Sequence, residues 1–123
     1  MKYGKKVMEN FMNPKNMGEI KNYDGIGKIG NPTCGDIIWV YIKVKNNKLE
    51  DVKFKTFGCA AAIASSSMIT QIAKGKTLMA AKKITRGKVA EKLKGLPESK
   101  LHCSTMAIEG LKLAIWDWEK KGK

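Results

Sequence analysis

Two segments of alternating residues, joined by a pair of asparagines, constrain the fold of this chain more than any other feature. Every second residue from Ile38 to Val44 is apolar, so these side chains share one face of a strand. Asn46-Asn47 follows, and asparagine tolerates the positive φ that a two-residue hairpin turn needs. Within residues 49–57, Val52, Phe54 and Thr56 alternate with Lys53 and Lys55. The pattern predicts an antiparallel hairpin with strands at Ile37–Val44 and Leu49–Phe57 and one buried face.

Helical patterns flank this hairpin on both sides. Lys5–Met12 reads as a short helix that ends at Asn13-Pro14, because the residue before a proline avoids helical angles. Strands followed by helices predict an α+β fold, in which helices pack on one face of a small three-stranded antiparallel sheet. We expect one domain over residues 1–123. The later helices are predicted at Ala60–Lys74, Thr77–Ala81, Thr85–Leu93 and Ser104–Lys121.

A glycine-rich stretch, residues 16–33, precedes the hairpin. Within it Gly25–Gly30 spells G-x-G-x-x-G, the spacing of a dinucleotide-binding turn. That motif must follow a strand and open a helix, whereas this one leads into Asn31-Pro32 and another strand. We therefore predict a flexible loop beside Cys34, with the third strand limited to Ile26–Ile29.

The charge of the chain is strongly positive. Lysine and arginine number 24 against 11 acidic residues, for a net charge of +13, and Arg86 is the only arginine. Because the lysines are spread along the chain, a lysine-coated surface accounts for them better than a nucleic-acid site, which usually gathers arginine and asparagine on one element. No apolar run reaches 18 residues and no apolar segment follows the charged N-terminus. We therefore expect no membrane span or signal peptide, and a cytoplasmic protein.

The chain has three cysteines, and an odd number does not suit a secreted disulfide framework. Cys34, Cys59 and Cys103 each lie where one predicted element gives way to another. Cys59 and Cys103 are each expected just before a helix, whose N-terminal dipole favours a thiolate. Gly35 and Gly58 keep side-chain bulk away from two of them. These positions predict a reactive or metal-binding site.

Asp36 and His102 supply oxygen and nitrogen ligands beside the cysteines. Three thiolates and one further ligand suffice for a tetrahedral zinc ion or for a [2Fe–2S] cluster. A hard carboxylate such as Asp36 matches a soft thiolate site poorly, so a cluster here should be held weakly. The site is therefore predicted to release its cluster, with Asp36 and His102 as competing fourth ligands.

Two other functions fit parts of this pattern. A cysteine enzyme could use Cys34 or Cys59 as nucleophile and His102 as base. A zinc-stabilised binding module could use the basic surface. Three observations distinguish these functions: a coloured iron–sulfur product, loss of turnover with a covalent thiol probe, and metal that survives chelation and supports the melting temperature.

Four segments of the chain resemble a known family. They are Asn13–Gly18, Asn31–Asp36, Phe57–Ser67 and Leu101–Ser104, and together they resemble iron–sulfur cluster assembly scaffolds of the IscU and NifU N-terminal-domain type. The resemblance implies the SufE/NifU-like, IscU-type fold. It also implies a carrier rather than an enzyme: a cysteine desulfurase delivers persulfide sulfur, iron binds, and a [2Fe–2S] cluster forms and passes to recipient apo-proteins. In this family zinc commonly occupies the site when no cluster is present.

The resemblance also implies roles for individual residues. The three cysteines correspond to the cluster ligands, and Cys103 corresponds to the first persulfide acceptor. Asp36 corresponds to the residue that makes the cluster labile, His102 to an alternative ligand and Lys100 to a lysine close to the site.

The chain departs from the family pattern at Leu96–Lys100. Many members carry Leu-Pro-Pro-Val-Lys there, which a dedicated Hsp70-type chaperone reads, whereas this chain has Leu-Pro-Glu-Ser-Lys. The resemblance therefore does not extend to that chaperone. The sequence leaves open whether the protein is a monomer or a homodimer.

Overall fold

The computed structural model describes residues 4–31, 35–96 and 100–121. Five helices and three strands are assigned in this part of the chain. In chain order they are α1 (Lys5–Met12), β1 (Gly25–Asn31), β2 (Asp36–Lys45), β3 (Lys48–Phe57), α2 (Ala60–Ala73), α3 (Leu78–Lys82), α4 (Arg86–Lys92) and α5 (Leu101–Lys120).

The predicted hairpin is confirmed and forms two strands of an antiparallel sheet ordered β1-β2-β3. The turn residues Asn46 and Asn47 have φ of 52° and 62°, as a two-residue hairpin requires. Val40 on β2 pairs with Phe54 on β3, and both are fully buried on the face that the alternating apolar residues predicted to be buried. The α+β class with a three-stranded sheet is thus confirmed.

The strand β1 is longer than Ile26–Ile29, and the prediction of a flexible loop over Gly25–Gly30 is wrong. The whole G-x-G-x-x-G stretch pairs with β2. A Cβ atom at Gly25 or Gly27 would collide with backbone carbonyl oxygens of α5. These glycines therefore serve close packing of a helix on a strand, and hydrogen bonding to β2 removes the flexibility that glycine would otherwise confer.

The opposite edge of the sheet, β3, is covered by the segment after α1. Gly18 donates its N–H to the Phe54 carbonyl at 2.7 Å, and the Phe54 N–H bonds to the Asn16 carbonyl at 3.0 Å. A covered edge cannot pair with another chain at this point. Behind it, α1 is fixed to α2 by the buried Asn10, whose Oδ1 accepts hydrogen bonds from Ser67 Oγ at 2.7 Å and Gln71 Nε2 at 2.8 Å.

The helices α2 and α5 pack side by side on the buried face of the sheet. Their buried residues form the hydrophobic core of the domain together with those of β2 and β3. Thr77 and Thr85 accept the N-cap hydrogen bonds that begin α3 and α4. The prediction that the last helix begins at Ser104 is wrong, because α5 begins at Leu101. Lys100 precedes it without a side-chain capping bond, so the sequence carries no start signal there. No described helix combines the length and apolarity needed to cross a membrane.

Candidate metal centre

Three different elements bring one carboxylate and two thiols together. Asp36 is the first residue of β2, Cys59 is the N-cap of α2, and Cys103 is the third residue of α5. The two Sγ atoms are 3.8 Å apart, and each lies 4.0 Å from Asp36 Oδ2. Their ligand atoms all fall within 4.8 Å of one another. This convergence of residues separated by up to 67 positions is what a metal ion or small cluster requires.

Gly58 makes room for the carboxylate in this group. A Cβ atom at Gly58 would lie 2.9 Å from Asp36 Oδ1 and 3.0 Å from the Cβ of Ala62. Gly58 was expected to remove bulk beside Cys59, whereas the atoms that its Cβ would meet belong to Asp36 and Ala62. The backbone before α2 passes so close to Asp36 that only glycine fits without displacing it.

Burial controls the protonation of the site. Cys103 is fully buried and Asp36 is 5% exposed, whereas Cys59 is partly exposed. Burial raises the pKa of Cys103 to about 12, and the negative charges of Cys59 and Asp36 add to the effect, while Lys100 opposes it. Cys103 is therefore a protonated thiol at neutral pH when no cation is bound. A metal cation reverses this balance because a coordinating thiol gives up its proton.

The helix dipole does not dominate at Cys103. From the sequence, Cys103 was expected just before a helix, where the dipole favours a thiolate. It lies inside the first turn of α5, and desolvation outweighs the dipole there. Cys59 does precede its helix as predicted.

His102 and Lys100 border the three-residue group. His102 Nε2 lies 3.6 Å from Cys103 Sγ but is not part of the set within 4.8 Å. Both side chains belong to the start of α5 and are partly buried. The third predicted cysteine, Cys34, lies outside the described residues. Gly35, which follows it, has a φ of +74°, a conformation that favours glycine.

Comparisons with known proteins show which family this chain belongs to. The family model for the NifU-like N-terminal domain matches residues 2–123. The chain belongs to the NifU-like N-terminal domain family. This confirms the resemblance drawn from the four sequence segments.

Curated relatives of this NifU-like domain carry consistent names. An iron–sulfur cluster assembly scaffold protein IscU from Archaeoglobus fulgidus is 57% identical over 119 residues, covering 97% of this chain and 78% of the relative. The protein of the same name from Aquifex aeolicus is 46% identical over 121 residues, covering 97% and 77%. A crystal structure of the N-terminal part of a NifU-like protein from Brucella abortus superposes with a TM-score of 0.78 at 20% identity, covering 96% of this chain and 94% of that one. That structure supports the fold.

A pair of serines that no sequence motif marks lies behind the cysteines of this NifU-like domain. Ser65 on α2 and Ser104 on α5 are fully buried, and their hydroxyl oxygens are 3.3 Å apart. The bond joins the two helices next to Cys103. Ser66 Oγ is also buried and has no hydrogen-bond partner among the described residues. The run of small residues in α2, from Ala60 to Ser67, allows this close approach to α5.

Proposed function

We propose that this chain is a scaffold on which iron and sulfide assemble into a labile [2Fe–2S] cluster that then passes to recipient apo-proteins. The observation that carries the proposal is the convergence of Asp36, Cys59 and Cys103 within 4.8 Å in a NifU-like domain. Cys34 is the proposed third thiolate ligand, and Asp36 and His102 compete for the fourth position. The cluster is the cargo of the protein and not a resident cofactor.

The proposed ligands favour release of the cluster. Thiolates match the soft iron of a cluster, whereas the carboxylate of Asp36 is a hard ligand and binds it less well. Burial and the neighbouring groups Cys59 and Asp36 raise the pKa of the Cys103 thiol, so this ligand favours its neutral form once it leaves a metal. Protonation of a departing ligand therefore assists transfer.

Sulfur enters, in this proposal, by persulfide exchange. The Cys103 thiolate attacks the outer sulfur of a desulfurase persulfide, forming a new S–S bond while the donor sulfur leaves as a thiolate. Because Cys103 is fully buried, its sulfur must lose its proton and become accessible before it can react. Lys100 lowers the cost of that ionisation.

An exposed apolar surface beside the ligands suits the partners that this function needs. Ile37 follows Asp36 and is 43% exposed, and Phe57, two residues before Cys59, is 77% exposed. The two are paired across β2 and β3. We propose that the desulfurase and the recipient proteins dock over this surface in the cytoplasm, and that the chain itself is not an enzyme.

A cysteine enzyme with Cys34 or Cys59 as nucleophile and His102 as base is the less consistent function, because the thiol that His102 approaches at 3.6 Å is that of Cys103. The 3.6 Å approach of His102 Nε2 to Cys103 Sγ resembles a nucleophile and its base. However, an activated cysteine needs a lowered pKa and access to substrate. Here the Cys103 pKa is raised and the thiol is buried.

A zinc-stabilised binding module is the stronger alternative, since two thiols and a carboxylate also suit tetrahedral zinc. We expect zinc to occupy the cluster-free site. A scaffold and a zinc module differ in how readily bound zinc is replaced. Zinc in a structural site resists replacement, whereas zinc in a scaffold is replaced by iron and sulfide.

Anaerobic reconstitution tests the proposal. The protein is incubated with ferrous iron, a cysteine desulfurase and cysteine, and then with an apo-ferredoxin as recipient. We expect visible charge-transfer absorption that moves to the ferredoxin. Asp36→Ala should slow that transfer, whereas the control Asp51→Ala, which removes a surface carboxylate paired with Lys74, should not. Failure to form a chromophore, or equal transfer rates for both variants, contradicts the scaffold function.

A further inference from the structure

A surface groove lies away from the candidate metal centre, between α1, α2 and α4. It has two adjoining lobes of about 400 Å³ and 480 Å³, and both are lined by Lys6 and Gln71. We call it the α1–α2–α4 groove. The remaining lining residues are Glu9, Asn10, Met12, Asn13 and Lys15 in the first lobe and Met68, Ile72, Lys76, Lys88 and Lys92 in the second.

The groove carries a concentrated part of the chain's positive charge. Five lysines line it, and the nearby carboxylates are those of Glu9, 3.8 Å from Lys6, and Glu91, 3.7 Å from Lys88. All four paired side chains are about half exposed or more, so these ion pairs are weak and easily exchanged. The other three lysines have no carboxylate within 4.0 Å among the described residues.

The floor of the groove is apolar and rigid. Met68 is 5% exposed and Ile72 packs against the core. Gln71 is held by hydrogen bonds from its Nε2 to Asn10 Oδ1 and Ser67 Oγ at 2.8 and 3.1 Å. A floor that is already ordered loses little entropy when a partner binds. The groove therefore offers an apolar contact surrounded by ammonium groups.

The position of the groove leaves the metal centre open. Gln71 lies twelve residues after Cys59 along α2, which corresponds to about 18 Å of helix. A segment bound in the groove therefore need not cover the thiols, and binding there is compatible with cluster assembly at the other end of the helix.

We propose that the α1–α2–α4 groove binds an acidic segment of a partner protein, with glutamates or aspartates facing the lysines and an apolar side chain over Met68 and Ile72. Protein is favoured over nucleic acid because, among the residues that the structure describes, no arginine and no aromatic side chain lines the groove. Those are the residues that usually contact bases and stack on them. The proposal does not depend on the chemistry of the metal centre.

A labelled peptide tests this surface. The probe is a short synthetic peptide of glutamates and aspartates with two central leucines, measured by fluorescence anisotropy at low salt with the full chain. The triple variant Lys76→Glu, Lys88→Glu, Lys92→Glu should weaken binding at least about tenfold, because three attractions become repulsions. Replacing the two leucines with serine should also weaken binding, since the apolar contact is lost.

A matched variant controls for net charge. Lys21→Glu, Lys45→Glu, Lys112→Glu reverses three exposed lysines outside the groove and should change affinity by less than about threefold. Equal losses in both triple variants, or no binding of the peptide to the wild-type chain, overturn the proposal. Tighter binding of a single-stranded or duplex DNA probe than of the peptide, lost in the groove variant, also overturns it. Cluster reconstitution should be unchanged in both variants, so failure here is separable from failure of the scaffold function.

Discussion

Replacing Gly58 with alanine tests the construction of the candidate metal centre without changing any of its candidate ligands. Gly58 does not have a positive φ, so alanine can adopt its backbone conformation. The new Cβ would lie 2.9 Å from Asp36 Oδ1 and 3.0 Å from the Cβ of Ala62, whereas ordinary contacts begin at 3.4 Å. The Asp36 carboxyl must therefore withdraw by about 0.5 Å. Overpacking of this kind costs about 1–3 kcal/mol of unfolding free energy.

The same displacement should weaken metal binding. Asp36 Oδ2 is 4.0 Å from both thiols, and metal–ligand distances tolerate deviations of about 0.2 Å. We expect the zinc affinity of Gly58→Ala to fall by about 10–100-fold, the range seen when residues that orient metal ligands are replaced. Cluster transfer should change in the same direction as in Asp36→Ala.

Competition with a chromophoric chelator measures zinc affinity, and urea unfolding of the metal-free protein measures stability. Gly87→Ala on α4 is the control, since its Cβ would meet only Thr85 Oγ1, at 3.8 Å. It should leave zinc affinity unchanged and increase stability by about 0.5–1 kcal/mol. Wild-type zinc affinity in Gly58→Ala would refute the assignment of Asp36 as a ligand. If Gly58→Ala were as stable as the wild-type protein, the close contact of its Cβ with Asp36 and Ala62 would be refuted.

Three further predictions follow from the fold. Gly27→Ala places a Cβ against the Gly110 carbonyl of α5 and should cost about 3 kcal/mol of unfolding free energy by denaturant titration. Burial alone would raise the pKa of Asp117, but hydrogen bonds from the Ile26 N–H and a lysine lower it. Asp117→Asn should therefore cost about 1 kcal/mol at neutral pH, and the difference should close as the pH falls below the ordinary value of 3.8. Because the pKa of Cys103 is raised from 9.0 to about 12, its contribution to the stability of the metal-free protein is complete below pH 9 and is lost as the pH rises toward 12. Cys103→Ser should lack this loss in melting experiments, and identical alkaline profiles would contradict the burial argument.

Local patterns predicted the elements of this fold well. Side-chain alternation and the paired asparagines located β2, β3 and their turn, because a strand with one buried face must repeat every two residues. Thr77 and Thr85 were expected at the starts of their helices and act as N-caps. The start of α5 was misplaced because Lys100 offers no capping bond.

The glycines show where local reasoning fails. Gly25 and Gly27 look like loop residues, since glycine weakens a strand by itself. Their place in β1 is explained by α5, a helix that begins some seventy residues later and packs against their backbone. No pattern within 25–30 contains that information.

The sequence by itself determined which residues could form the metal centre. Cysteines at element boundaries, with a carboxylate and a glycine beside them, mark ligand chemistry from residue type and position alone. Only the tertiary structure decided that Asp36, Cys59 and Cys103 share one site, since their separation along the chain says nothing about their distance in space. It also raised the pKa of the Cys103 thiol. The reason is that the ionisation of a thiol depends on its burial and on the charges around it, and the fold sets both.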